Sequence, residues 1–193
     1  MALSYSNIAI EIREISLQDR PEELYKVSKK GTVPVLITSD NVVIDESLDI
    51  ILWALENNKS QVWISGKSSQ EMDLITQNDT VFKKWLDKYK YHDQHPKNSK
   101  EYYREHCQKI LLKYEEELKT NTYLLRKDIS IADVAIFPFI RQFANVDYQW
   151  FENNYNHLDL WLKNLSSSDL FLSVMNKYET WEKEQKPLII NLN

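Results

Sequence analysis

Pro34 is the first residue whose position could serve chemistry, because it stands where a predicted strand begins. It lies in the run Gly31-Thr32-Val33-Pro34-Val35-Leu36. Proline cannot donate to a ladder, so it belongs at the first residue or on the edge of a strand, and most X–Pro bonds are trans. A cis bond would instead turn the N–H and C=O of Val33 outward, where they could pair with a bound peptide. Both interpretations stay open at this point.

A second candidate is Asp45-Glu46-Ser47, which stands directly before a helical pattern. A helix N-terminus offers free N–H groups and partial positive charge, so it binds carboxylates well. The Ser47 hydroxyl and N–H could hold a carboxylate, and the Glu46 carboxylate could accept an ammonium. The alternative is that Asp45 only caps the helix.

The segment Ile129-Ser130-Ile131-Ala132-Asp133-Val134 carries a structural signal. Ser130 as N-cap and Asp133 three residues later form an acidic variant of the capping box. Ile129 and Val134 stand at the positions of the hydrophobic staple. The pattern predicts a helix start and implies no chemistry.

The first sixty residues predict the α/β unit that must position the first two motifs. Residues 9–15 alternate apolar and charged, as a strand does. Pro21 opens a short helix that Gly31 ends. Residues 33–37 and 42–44 read as strands joined by turn residues, hence a hairpin, and residues 46–57 have helical spacing.

Residues 58–69 are polar and predict a linker, and helical patterns follow. We therefore predict an α/β domain over 1–58 and an all-helical domain over 69–193. The predicted helices cover 70–90, 99–119, 130–145 and 158–177, the last interrupted at 166–168.

Composition narrows the function class. The net charge is −5 and the basic residues are scattered, so nucleic acid is not an expected partner. No apolar run is long enough to span a membrane. The first residues lack a basic segment followed by a long apolar run, so they are not expected to act as a secretory signal. Cys107, the only cysteine, lies on an apolar helix face and is expected to be buried. His92, Asp93 and His95 form at best a partial ligand set, so no metal site is predicted.

Taken together and in this order, T-V-P-V-L, D-E-S before a helix, and S-I-A-D-V-A-I-F-P-F resemble the cytosolic glutathione transferase family. The resemblance implies a thioredoxin-like N-terminal domain followed by a helical bundle. It implies that Val33, next to a cis Pro34, pairs its backbone with the cysteinyl part of glutathione. Glu46 and Ser47 would hold the γ-glutamyl end, and Lys29 or Lys30 the glycyl carboxylate.

The resemblance also implies glutathione as substrate, a small electrophile or a disulfide as second substrate, a homodimer and a cytoplasmic location. Trp85, Tyr89 and Tyr103 stand at helical spacings where one or two could line the second-substrate pocket, although most such residues are core. The activity would be conjugation of glutathione or disulfide reduction. The alternative is a non-catalytic glutathione-binding or protein-interaction module on the same fold.

One departure from the family concerns the catalytic residue. Residues 1–7 resemble only the tail of the family's first helix, so the first strand and catalytic loop are expected to lie upstream of Met1, the alternative being a shorter protein that lacks them. No catalytic residue is assigned. The family places that strand between 9–15 and 33–37. We therefore expect a strand swapped in from a neighbour, direct pairing of 9–15 with 33–37, or poor order before about residue 45, since unpaired buried backbone groups are costly.

Overall fold

A computed structural model describes residues 1–57, 63 and 69–191, so the expected linker lies almost entirely outside the described residues. The chain forms two units. One comprises Met1–Gln61 with Asp169–Asn193, and the other comprises Val62–Ser168. We expected the helical domain to extend to residue 193, whereas the segment Asp169–Asn193 belongs to the first unit.

Each helical segment predicted from the sequence contains a described helix, and one further helix, Tyr148–Asn154, was not predicted. In chain order they are α1 Ala2–Tyr5, α2 Glu22–Val27, α3 Ser47–Glu56, α4 Ser69–Gln77, α5 Lys83–Lys90, α6 Lys100–Glu117, α7 Ile131–Ala144, α8 Tyr148–Asn154, α9 Asn156–Ser166 and α10 Asp169–Ser173. A π-helical turn, Asn78–Phe82, joins α4 to α5, and a 3₁₀ turn, His92–Gln94, follows α5. The break predicted at 166–168 separates α9 from α10.

The described strands are short: β1 Ile10–Glu11, β2 Leu36–Ile37, β3 Val43–Ile44 and β4 Ile189–Ile190. The predicted hairpin is confirmed, because β2 and β3 pair antiparallel. Asn41 adopts a left-handed conformation (φ 61°) in the turn, which asparagine tolerates better than most residues.

The partner of β1 is the chain's own C-terminal segment, which was not among the arrangements we expected. Ile10 lies opposite Ile190 in an antiparallel register. The contact continues beyond the regular strand, where Ile12 N–H donates to Leu188 O (3.0 Å) and Trp181 N–H donates to Glu14 O (2.7 Å). The expectation that everything after residue 69 is helical is therefore wrong at its end.

The second unit has an aromatic core. Phe143 lies at its centre, and its ring contacts those of Phe82, Tyr89, Trp150 and Phe151. The capping box predicted at the start of α7 is confirmed. Ser130 and Asp133 exchange side-chain to backbone hydrogen bonds, and both residues are fully buried. Asp133 also accepts from Leu124 N–H and Trp161 Nε1–H, each at 2.9 Å, so it ties the loop before α7 and helix α9 to one carboxylate.

Candidate functional site

Val33 and Pro34 enter β2 on an exposed stretch of the first unit. Their peptide bond is cis, so the trans interpretation is wrong and the one implied by the family resemblance holds. Val33 is 46% exposed. Within the described residues its backbone N–H and C=O have no hydrogen-bond partner. This residue thus offers an open donor and an open acceptor at the start of β2.

Helix α3 begins without a side-chain cap. Glu46 is the N-cap residue in an extended conformation, and Ser47 is the first helical residue. The first intrahelical bond runs from Ile50 N–H to Glu46 O at 3.0 Å. The N–H groups of the first turn therefore have no acceptor within the helix, which gives this exposed end the character of an anion site. The alternative that Asp45 caps α3 is wrong.

Asp45 instead belongs to a charged cluster that local sequence patterns did not reveal. It accepts a hydrogen bond from Ser28 Oγ at 3.1 Å. Lys30 Nζ lies 3.7 Å from Asp45 Oδ2 and also donates to Glu46 Oε1. The hydrogen bond to Glu46 raises the pKa of Lys30, and the negative charge of Asp45 adds to the effect. Lys30 is thus drawn to the acidic pair at the start of α3.

The predicted basic residues therefore differ in their surroundings. Lys30 contacts both acids, whereas Lys29 is exposed and forms no ion pair with any residue the structure describes. The start of α3 presents a carboxylate from Glu46, a hydroxyl from Ser47 and free N–H groups. Chemically, such a set can bind a ligand that carries both an ammonium and a carboxylate.

The three aromatic candidates in the second unit fall into two groups. Trp85 and Tyr103 line an open groove of about 700 Å³ together with Lys88, His95 and Tyr102. The Tyr103 hydroxyl donates to His95 O at 2.8 Å, and the Trp85 ring stacks on His106 at 3.9 Å. Tyr89 is buried and packs on the Phe143 ring, so it is a core residue.

Cys107 is fully buried, as predicted, and burial raises the pKa of its thiol to about 12. It is therefore neither an accessible nucleophile nor a thiolate at neutral pH. In the described part of the chain, no group of three His, Cys, Asp or Glu side chains is arranged to hold a metal ion. Nor is any helix there long and apolar enough to cross a membrane.

Three solved structures illustrate the similarity of this chain to proteins of the same fold at low sequence identity. The glutathione transferase URE2P6 from Phanerochaete chrysosporium, in complex with oxidized glutathione, is 18% identical with a TM-score of 0.77; the match covers 90% of this chain and 86% of that one. BphK, a bacterial GST in a ternary complex, is 18% identical with a TM-score of 0.74 and coverages of 89% and 88%. Glutathione S-transferase-I bound with lactoylglutathione is 20% identical with a TM-score of 0.67, and the match covers 86% of each chain.

Family models give the more specific result. Among curated proteins, none matches the sequence. The model of the glutathione S-transferase N-terminal domain matches residues 1–63, and that of the glutathione S-transferase C-terminal domain matches residues 72–169. The matched segments contain both the Val33–Pro34 strand entrance and the capping box of α7, and the second covers half of the chain. With its small thioredoxin-like α/β unit and its helical unit, this chain belongs to the glutathione S-transferase family.

Proposed function

We propose that this protein binds glutathione in its first unit and uses it as a thiol substrate, conjugating it to an electrophile or reducing a disulfide with it. The observation that carries the proposal is the uncapped, exposed start of α3, where Glu46 and Ser47 stand beside free helix N–H groups. Two of the structurally similar proteins contain glutathione or a glutathione derivative. Family membership supports the same ligand here.

Each part of the tripeptide has a matching group. The γ-glutamyl carboxylate would accept from the Ser47 hydroxyl and from the N–H groups of the first turn of α3, where the helix dipole favours negative charge. The γ-glutamyl ammonium would pair with the Glu46 carboxylate. The cysteinyl residue would pair its backbone with the open N–H and C=O of Val33, in the manner of an added strand.

In this arrangement Lys30 competes with the ligand ammonium for the Glu46 carboxylate. Its ammonium already contacts Glu46, so the ligand ammonium would have to share or displace that contact. Both side chains are more than half exposed, and ion pairs between exposed side chains contribute little, so displacing this contact costs little. A displaced Lys30 would be free to meet the glycyl carboxylate, and Lys29 is the alternative for that role.

The chemical step requires the thiolate form of glutathione. A free thiol has a pKa of about 8.5, so glutathione needs a group that favours its thiolate at neutral pH. We assign no residue to that role. For the second substrate we propose the groove of Trp85 and Tyr103, which combines aromatic rings with polar residues such as Lys88 and Gln94. Tyr89 does not line that groove and is left out of it.

Calorimetric titration with glutathione tests the binding proposal. Ser47→Ala should weaken binding by roughly 1.5–3 kcal/mol, the range for a hydrogen bond to a charged group. Ser39→Ala, in the exposed β2–β3 turn, is the matched control and should bind like the parent protein. Unchanged affinity in Ser47→Ala would remove α3 from the site.

A pair of lysine variants distinguishes the two candidates for the glycyl carboxylate. If Lys30 binds the glycyl carboxylate, Lys30→Met weakens the binding of glutathione and Lys29→Met does not. If Lys30 serves only to neutralise Glu46, Lys30→Met strengthens binding instead, because the ligand ammonium no longer competes.

We also propose a homodimer in the cytoplasm. The expectation rests on the family and on closed two-fold symmetry being the commonest assembly. A single cysteine that cannot form an intramolecular disulfide agrees with a reducing compartment. Sedimentation should give twice the 23.0 kDa of one chain, and a stable monomer would contradict the dimer.

A further inference from the structure

Ser28 is a buried residue that connects the end of α2 to the segment before α3. It is the C-cap residue of α2 and is 2% exposed. Its N–H donates to Leu24 O at 2.8 Å, and its C=O accepts from Gly31 N–H at 3.0 Å. Because both backbone groups are engaged, the side chain leaves the backbone from a fixed position. The Ser28 hydroxyl donates to Asp45 Oδ2 at 3.1 Å, although the two residues are 17 positions apart in the chain.

Asp45 is the residue near the start of α3 that is best suited to cap this helix. Aspartate is among the preferred N-cap residues, and glutamate is not. As N-cap, Asp45 would accept from the N–H of Ser47 or Leu48, and α3 would begin one residue earlier, at Glu46. In the structure the N-cap position falls on Glu46 instead, and no side chain caps the helix. The start of α3 is therefore open although a capping residue stands next to it.

Two contacts hold the Asp45 carboxylate away from α3. One is the hydrogen bond from Ser28, and the other is the Lys30 ammonium, 3.7 Å from the same Oδ2 atom. The Lys30 side chain is 54% exposed, and ion pairs of exposed side chains contribute little. Ser28, in contrast, is buried and fixed by its own backbone hydrogen bonds. The Ser28 hydroxyl is thus the more rigid of the two anchors.

We propose that Ser28 is a positioning residue for the glutathione site, an inference that rests on the proposed function where it concerns the ligand. By binding the Asp45 carboxylate, Ser28 leaves the first-turn N–H groups of α3 free for the γ-glutamyl carboxylate. Without this hydroxyl, Asp45 turns to the N–H groups of Ser47 and Leu48 and caps the helix. A carboxylate of the protein then occupies the donors that the ligand needs, and the ligand has to displace it.

The first test needs no ligand. In isotope-labelled Ser28→Ala protein, capping by Asp45 should move the Glu46 Cα chemical shift to a helical value. Amide hydrogen exchange at Ser47 or Leu48 should slow by about twofold to thirtyfold, the equilibrium factor that corresponds to one N-cap. Ile50 N–H already donates to Glu46 O and should change little. Unchanged exchange at both Ser47 and Leu48 would overturn the proposal.

The second test measures glutathione affinity by calorimetry in a double-mutant cycle. Ser28→Ala should weaken binding by about twofold to thirtyfold, because only the uncapped fraction of the protein accepts the ligand. Asp45→Ala removes the competing carboxylate and should bind glutathione at least as tightly as the parent protein. In the Asp45→Ala background, the additional change Ser28→Ala should therefore have no effect on affinity.

The cycle separates positioning from a purely structural role. If the Ser28 hydroxyl only supports the fold, Ser28→Ala weakens binding equally with and without Asp45. If the bond between Ser28 and Asp45 supports the site directly, Asp45→Ala alone weakens binding as much as Ser28→Ala. Either result, or parental affinity in Ser28→Ala, would overturn the proposal. If the parent protein itself does not bind glutathione, the proposed function fails, and exchange at Ser47 and Leu48 still decides whether Ser28 keeps Asp45 from capping α3.

Discussion

Replacing Ser130 by alanine should cost considerably more stability than an ordinary helix-cap substitution. Ser130 is fully buried, and its Oγ donates to Asp133 Oδ2 at 2.6 Å while accepting from Asp133 N–H at 3.4 Å. Loss of an N-cap serine costs about 0.5–2 kcal/mol. Here a buried carboxylate also loses a donor, and hydrogen bonds to charged groups contribute about 1.5–3 kcal/mol.

These two losses overlap, because one hydroxyl makes both contacts. The bond from Asp133 N–H is long at 3.4 Å, so the free energy lost with the cap lies at the low end of its range. Most of the expected loss comes from the short bond to the Asp133 carboxylate. Asp133 keeps its bonds from Leu124, Trp161 and the Ser130 backbone, which limits the damage. We expect a loss of about 2–3 kcal/mol in the free energy of unfolding.

Ser99→Ala is the matched control for this substitution. Ser99 caps α6 by accepting a hydrogen bond from Tyr102 N–H at 3.2 Å, but Ser99 is exposed, unlike Ser130. Its loss should cost about 0.5–1 kcal/mol, the lower part of the range for a cap. Urea denaturation of both variants, monitored by circular dichroism, measures the difference in the free energy of unfolding, provided that the m-value is unchanged. Equal losses would refute the argument that burial and the Asp133 carboxylate make the Ser130 cap stronger.

Two further predictions concern Gly31 and Cys107. Gly31→Ala should destabilise the first unit by about 1–3 kcal/mol, since Gly31 has φ 62° and an added Cβ would collide with the Tyr25 ring; an unchanged urea midpoint would contradict this. Cys107 should not react with a soluble disulfide reagent at pH 8 until the protein is unfolded. The pKa of the Cys107 thiol is raised to about 12 in the folded state, whereas an unfolded thiol has a pKa of about 8.5. Because the folded state binds the proton more tightly, the free energy of unfolding should fall as the pH rises between these two values. Rapid labelling of the native protein would refute the first expectation, and a fall no greater than in Cys107→Ala would refute the second.

Features specified by neighbouring residues could be predicted from the sequence. The hairpin follows from Ser39-Asp40-Asn41, because these residues satisfy the turn's own backbone requirements. The capping box follows from Ser130 and Asp133, which are only three residues apart. In both cases the interaction that determines the structure lies within a few residues of the pattern that predicts it.

Features that depend on distant partners could not be predicted in the same way. Alternation along residues 9–15 predicts which face of the strand is apolar, but it contains no information about the segment that pairs with its edge. That segment, Ile189–Ile190, lies at the other end of the chain. Asp45 has the residue type of a helix cap, but the N-cap position falls on Glu46. Ser28 and Lys30 engage Asp45 instead, at sequence separations that no local rule covers.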